Sequence, residues 1–268
     1  MFSILKKKIK NEKPKYGWYV GKIIAYLAVI GCAGLVLFIV GFFSSYPLKI
    51  IFWISGFTIS IIFLWPALGL TAMNLWIPRR ISQYEFMREF KAPQVLDCGC
   101  GTGRHAIQMA KQLPERGSLE GIDIYDEIAI SGSSLERVKR NAALEGVANI
   151  TNFQKGSIID IPFDDQRFDI VSVLSVLHEI HDANDKKKAY GEIYRVLKDD
   201  GLLFMGEWNR SSLNLILFTG IFAFVFKPKS FWEMQLKDHG FEIIKTQDVS
   251  GFIDFFAKKI KNILSIKI

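Results

Sequence analysis

Cysteine is scarce, at three in 268 residues, and the three cannot form a disulfide framework. Cys32 lies in an apolar run, while Cys98 and Cys100 stand two apart in a glycine-rich loop, too constrained to bridge each other. A C-x-C pair without a further Cys or His at ligand spacing is no zinc site either, so no metal is expected. Internal repeats and low-complexity tracts are also absent, which excludes a solenoid. A basic nucleic-acid-binding domain is missing as well, despite the net charge of +7. Residues 1–22 hold seven lysines against one acid and residues 23–80 hold three basic residues and no acid, whereas residues 81–268 hold 24 basic and 26 acidic side chains. The surplus belongs to the N-terminal part, and no nucleic-acid partner is expected.

Long uncharged runs are what the N-terminal part has instead. Residues 23–43 are 21 positions without a charge, enough at about 1.5 Å per residue to cross a hydrocarbon core of roughly 30 Å. A cleaved signal peptide would have a shorter apolar region and an A-x-A-like site, and neither holds. After a short turn a second run covers 50–77, with Pro66 and Gly69 inside it. It is expected to span over about 50–70, kink near Pro66 and leave through the interface. Trp18, Tyr19, Tyr46, Trp53 and Trp76 fall near the proposed membrane edges. The Lys-rich start and Arg79-Arg80 lie on one side and only Lys49 on the other, so both termini and the following domain are expected in the cytoplasm. The organisation expected is a basic cytoplasmic tail (1–22), a transmembrane hairpin in the cell membrane (23–80) and a soluble domain (81–268), with the lipid bilayer as a partner. A third apolar run, 213–226, is short for a span and ends at Lys227-Pro228-Lys229. It reads as an interfacial or re-entrant helix, a pocket wall, or an ordinary buried helix.

From residue 94 onward short apolar runs alternate with segments of helical period. Strands are expected at 94–98, 118–123, 150–155, 168–174 and 201–207, and helices at about 105–112, 134–144 and 185–197. That order implies a parallel sheet covered on both faces. The end differs, because 242–249, a turn at Ser250-Gly251 and 252–258 read as an antiparallel pair.

The first of these strands runs into Val95-Leu96-Asp97-Cys98-Gly99-Cys100-Gly101-Thr102-Gly103. Alternate glycines at the carboxyl end of a strand let backbone approach a flat ligand closely. The spacing is G-x-G-x-G, preceded by an acid, which departs from the dinucleotide fingerprint G-x-G-x-x-G and argues against a nicotinamide oxidoreductase. Further elements follow in order: Gly121-Ile122-Asp123-Ile124, Gly156-Ser157-Ile158-Ile159-Asp160-Ile161-Pro162-Phe163, Phe168-Asp169-Ile170-Val171, Leu177-His178-Glu179, Glu192-Ile193-Tyr194-Arg195-Val196-Leu197-Lys198, and Gly240-Phe241-Glu242. Over about 94–259 this series resembles the class I S-adenosylmethionine-dependent methyltransferases, in the branch that includes ubiquinone/menaquinone-biosynthesis methyltransferases. The resemblance implies a Rossmann-like α/β fold, with a seven-stranded, mostly parallel sheet whose last strand is antiparallel.

The resemblance also implies S-adenosyl-L-methionine as cofactor. Gly99, Gly101 and Gly103 would pack against its methionine part, with Asp97 near the amino group, and Asp123 would accept from the ribose hydroxyls beside Ile124. Ser157 and the Ile158 backbone would meet adenine, although the family usually has an acid at the serine's position. Ser175 completes the expected cofactor set.

Methyl transfer from a sulfonium is an in-line displacement, governed largely by alignment. Whether a base is needed depends on the acceptor. His178, Glu179 and Glu207 are the catalytic candidates, with His181 nearby; His178-Glu179-Ile180-His181 is not H-E-x-x-H, so zinc is not expected. A helix-start residue facing cofactor or solvent is the plainer role for His178. Family members commonly carry longer helical segments before the first strand, whereas only 80–93 separates the second apolar run from it. Cover for the substrate pocket must come from the end of span two, from 213–226 or from the bilayer. A hydrophobic small-molecule acceptor, such as a quinone precursor or a lipid head group, is therefore expected. A non-catalytic membrane-anchored S-adenosylmethionine-binding protein is the alternative, and a protein or peptide acceptor stays open within the enzyme class.

Overall fold

The computed structural model describes residues 12–76, 84–249 and 251–260. Lys6, Lys7, Lys8, Lys10, Arg79, Arg80 and Ser250, on which part of the expected orientation and the terminal turn rest, lie outside the described residues.

Two helices open the chain, α1 (Gly21–Phe43) and α2 (Leu48–Trp76), and both are long and apolar enough to cross a membrane. Each is apolar around its whole circumference, and large side chains such as Tyr26, Val36, Phe43, Ile54 and Leu68 stand exposed. Small residues line the contact between them. A Cβ on Gly34 would lie 2.8 Å from the Ser60 backbone nitrogen, and one on Gly56 would lie 2.4 Å from that of Phe38. Pro66 sits inside α2, which continues to Trp76.

The domain that follows holds β1 (Gln94–Cys98), α3 (Arg104–Ala110), β2 (Ser118–Asp123), α4 (Leu135–Leu144), β3 (Thr151–Lys155), β4 (Phe168–Leu174), α5 (Ala183–Val196), β5 (Leu197–Trp208), α6 (Leu213–Thr219), α7 (Lys229–Asp238), β6 (Phe241–Val249) and β7 (Phe252–Lys259). The strands form one seven-stranded sheet in the order β3-β2-β1-β4-β5-β7-β6. β1 to β5 pair in parallel, and β7 inserts antiparallel between β5 and β6. The central strands are buried on both faces, as a parallel sheet covered by helices requires. Ser134 caps α4 by accepting from the Arg137 N–H, and Asp182 caps α5 by accepting from Asn184 and Asp185.

Two elements depart from the sequence expectation. β5 begins at Leu197, because the chain leaves α5 directly into a pairing with Phe168 before the main ladder starts at Leu202. The apolar run 213–226 is α6 followed by a 3-10 turn, Gly220–Val225, with the break at Gly220, whose φ of +56° suits a residue without a Cβ. The run is not an ordinary buried helix: Leu215 and Ala223 are buried, yet Leu213, Leu217, Ile221, Phe224 and Val225 are exposed. Its inner side docks on α2. Trp65 Nε1 donates to the Leu217 carbonyl at 2.6 Å, Phe63 meets Phe222, and a Cβ on Gly69 would fall 1.7 Å from the Phe218 carbonyl oxygen. Gly69→Leu is therefore expected to lower the melting temperature in detergent by several degrees, the effect of about 1–3 kcal/mol of overpacking. An unchanged melting curve would show that this docking is not maintained in solution.

Candidate cofactor and active site

Parallel strands present their carboxyl ends at one edge of a sheet, and the strand order reverses beside β1, which lies between β2 and β4. The residues singled out from the sequence collect at that edge. Asp97 on β1 is in register with Gly121 of β2 and Ser172 of β4, and is buried. Burial pushes its carboxyl up to about 7, the Ser172 hydroxyl beside it draws it partway back, and the Asp123 charge adds to the rise.

Gly99, Gly101 and Gly103 have φ of +78°, +52° and +85°. An added Cβ would stand 2.2 Å from Val176 Cγ2 at Gly99 and 2.6 Å from Ile130 Cδ1 at Gly101. The glycines are thus demanded by the chain's own packing as well as by any ligand. Asp123, at the end of β2, accepts from the backbone N–H of Gly101 at 2.7 Å and of Tyr125 at 2.5 Å. Burial raises its pKa and those two N–H groups oppose the rise. A carboxylate offers about four lone-pair sites, so acceptor capacity remains for hydroxyls. Ile124 beside it exposes 60% of its surface, an apolar face beside a polar edge. Ser157 is taken up locally, accepting from the Ile159 N–H at 3.4 Å, and the Ile158 side chain is buried in the core, which leaves its backbone. Ser175 has φ +58° and donates its N–H to the Gly206 carbonyl at 2.7 Å, a strained left-handed turn directly after β4.

The three catalytic candidates meet. Glu207, fully buried at the end of β5, accepts from the N–H groups of Val176 (3.1 Å) and Leu177 (2.7 Å), and its second oxygen lies 2.8 Å from His178 Nδ1. Glu179 Oε1 is 3.2 Å from His178 Nε2 on the other side. Burial lowers the imidazole's proton affinity, but the two carboxylates outweigh it and raise the pKa to about 9. At neutral pH His178 is therefore an imidazolium held between Glu207 and Glu179. Its ring also meets Phe226, with centroids 5.6 Å apart, at the end of the apolar 213–226 segment. His181 is not drawn into this pairing with Glu207. Among the described residues no cluster of His, Cys, Asp and Glu is arranged to hold a metal.

A strap that sequence reading missed lies over the glycine loop. The Lys15 backbone exchanges hydrogen bonds with the Asn141 side chain, Thr102 Oγ1 donates to the Tyr16 carbonyl at 2.7 Å, and Arg104 Nη2 donates to the Gly17 carbonyl at 2.9 Å. Tyr19 pairs with Ile130 as an antiparallel bridge and lines the pocket with Asp97, Gly99 and Arg104. Its backbone N–H and C=O are both bound by Asn74 of α2, at 2.8 and 3.1 Å. Tyr19, expected near a membrane edge, also lines this pocket. The only hint in the sequence is an aromatic cluster, Tyr16-Gly17-Trp18-Tyr19, amid lysines.

Comparison with known proteins agrees with this geometry. Residues 89–218 match a family model described as a methyltransferase domain. The chain carries a methyltransferase domain. A ubiquinone/menaquinone biosynthesis C-methyltransferase of Geotalea daltonii is 32% identical over 133 residues, covering 50% of this chain and 52% of the relative. The chain spans about half the length of the curated relatives it matches. Among solved structures, a SAM-dependent methyltransferase from Aquifex aeolicus superposes with a TM-score of 0.57 at 18% identity, covering 73% of this chain and 98% of that one. The [4+2]-cyclase SpnF does so with a TM-score of 0.54 at 18% identity, over 70% of this chain and 82% of its own. The methyltransferase domain thus has the Rossmann-like fold expected, with the antiparallel last strand in place.

The His178 pair predicts a pH-dependent stability. The folded-state pKa lies above the ordinary value of 6.5, so the pair's contribution is complete below that pH and is lost as pH rises through about 9. Melting temperatures of wild type and His178→Gln should differ most near pH 6 and converge above about pH 10. A constant difference across that range would contradict the ion pair.

Proposed function

We propose that this chain is a membrane-anchored S-adenosylmethionine-dependent methyltransferase acting on a lipid-soluble small molecule, a quinone precursor or a lipid head group. The residues at the strand ends suit the cofactor. Asp97 is a buried carboxylate suited to an ammonium, Asp123 to paired hydroxyls, and Ile124 with the Ile158 backbone to an aromatic base. When bound, the cofactor supplies an electrophilic methyl group on sulfur.

One observation carries the acceptor class. The 213–226 segment has one side on the apolar helix α2, through Trp65 and Gly69, and reaches the His178 site through Phe226, which also meets Trp208 at 5.3 Å. An acceptor site beside this wall would lie next to the exposed apolar residues Leu217, Ile221 and Phe224. An acceptor partitioning in a bilayer reaches it without crossing water, with α1 and α2 spanning the membrane and the domain on the cytoplasmic side. The described quinone-methylating relative points to the same class of molecule. Glu207 orients His178, and the imidazolium so held can stabilise negative charge on an oxygen or enolate acceptor. It serves as a base only after losing its proton.

Membrane-embedded protein, incubated with methyl-labelled cofactor and a total lipid extract, is expected to place label in the lipid phase. Label confined to water-soluble products would overturn the lipid-soluble acceptor. Cofactor binding without label in any lipid, small-molecule or protein acceptor would favour a non-catalytic cofactor-binding protein.

Cofactor affinity should also follow Asp97. An ammonium ligand needs the carboxylate ionised, and burial holds the carboxyl up to about 7. Affinity is expected to rise roughly tenfold per pH unit below that value and to flatten above about pH 8. Asp97→Asn should bind more weakly with a flat profile, as measured by calorimetric titration.

A further inference from the structure

Arg104 opens α3 directly after the glycine loop and has a specific geometry. One guanidinium nitrogen, Nη2, is used up on the strap at the Gly17 carbonyl. The plane is steadied between the rings of Tyr16 and Tyr19, at 5.8 and 5.4 Å from their centroids. The other nitrogen, Nη1, is buried and has no hydrogen-bond partner among the described residues. No ion pair links Arg104 to a carboxylate among the described residues, although Asp97 lines the same pocket. Leaving a charged donor buried and unpaired costs more than leaving a neutral one, so such a group marks a place where an acceptor belongs.

The pocket thus brings together a buried acid and a buried guanidinium edge that do not neutralise each other, walled by Gly99, Thr102 and Tyr19. A ligand fragment that satisfies both must carry a positive and a negative charge a few bonds apart. An α-amino acid zwitterion has that form. Resting on the cofactor reading above, we propose that Arg104 is the residue that recognises the α-carboxylate of S-adenosylmethionine, through Nη1, with the 15–19 strap as the positioning element that holds the guanidinium edge toward the pocket. Asp97 and Arg104 then divide the zwitterion between them, and the remaining Nη2 bond to Gly17 keeps the fork from turning away.

The decisive comparison uses two probes that differ only in this group: S-adenosylmethionine and its decarboxylated analogue, titrated calorimetrically against the full chain in detergent. Wild type is expected to prefer the carboxylated ligand by about tenfold to a hundredfold, the range of a charge-assisted hydrogen bond. Arg104→Gln should lose most of that preference by weakening the carboxylated ligand while leaving the decarboxylated one within a few-fold. Arg104→Lys should retain a several-fold preference, because it keeps the charge but not the fork. Equal weakening of both ligands in Arg104→Gln would reduce Arg104 to a structural role and overturn the assignment. Preference intact in that variant would overturn it too. A wild-type chain that binds neither probe overturns the cofactor reading, and this assignment with it.

Discussion

The backbone of Tyr19 joins the two parts of this molecule, and the cofactor site depends on that join. Its N–H and C=O are both bound by one side chain, Asn74, near the end of α2, while its edge pairs with Ile130 on the loop that packs against Gly101. Asn74 is itself buried and spends its second amide hydrogen on the Leu70 carbonyl, so it has little freedom to release the strap. The residue after Tyr19, Val20, adopts a left-handed φ of +47°, an unfavourable conformation for a β-branched side chain. It is tolerated because its N–H is held by the Ala129 carbonyl and its carbonyl starts α1. The strap therefore enters the apolar helix pair in a direction fixed by the methyltransferase domain, and the two cannot rotate freely against each other while these bonds hold.

Charge burial sorts the polar residues around this join. Glu207 is fully buried yet has three donors, two backbone N–H groups and the His178 imidazolium, so its charge is balanced inside the protein. Asp97 is equally buried, has no cationic partner among the described residues, and its carboxyl rises accordingly. The two carboxylates lie at the ends of strands separated only by β4, and their opposite treatment separates a structural charge from a ligand-seeking one. Both carboxylate oxygens of Glu207 are engaged within the protein, where they shape the turn after β4 and hold Nδ1 of His178.

Much of the domain was legible in the sequence for local reasons. β1, β2 and β4 match their expected bounds because each is a short apolar run closed by glycine, acid or polar turn residues, and the parallel pairing follows from the helices between them. The candidate residues Asp97, Asp123 and Ser157 were legible because they lie at or just after strand ends, where side chains reach the sheet edge. The His178–Glu207 contact was suspected only as two candidates, since a separation of 29 residues conceals their proximity. Arg104 and the 15–19 strap were not legible. Nothing in the pattern of a basic tail tells it from a solvated one, and the side-chain hydrogen bonds that hold it reach 55 to 129 residues away. The break in 213–226 was not legible for the same reason: contacts of Leu217 and Phe218 with α2, distant in sequence, help decide where that segment lies.

Placing a cofactor pocket against a helix hairpin resolves a difficulty of the chain's economy. Only 80–93 lies between the second apolar run and β1, too little to build a substrate cover of the usual helical kind. In the proposed function two segments supply it from opposite directions. The strap reaches the methionine side of the site ahead of α1, and 213–226 reaches the His178 side after β5, docking on the same α2 through Trp65 and Gly69. α2 is thus the common support of both walls, gripping the strap with Asn74 and the segment with Trp65 about two and a half turns earlier. In the proposed function α2 relates the two walls to each other, as in-line transfer between a donor held at one wall and an acceptor admitted at the other requires. In this arrangement the apolar hairpin is a structural part of the candidate site, and its removal would take the cover with it.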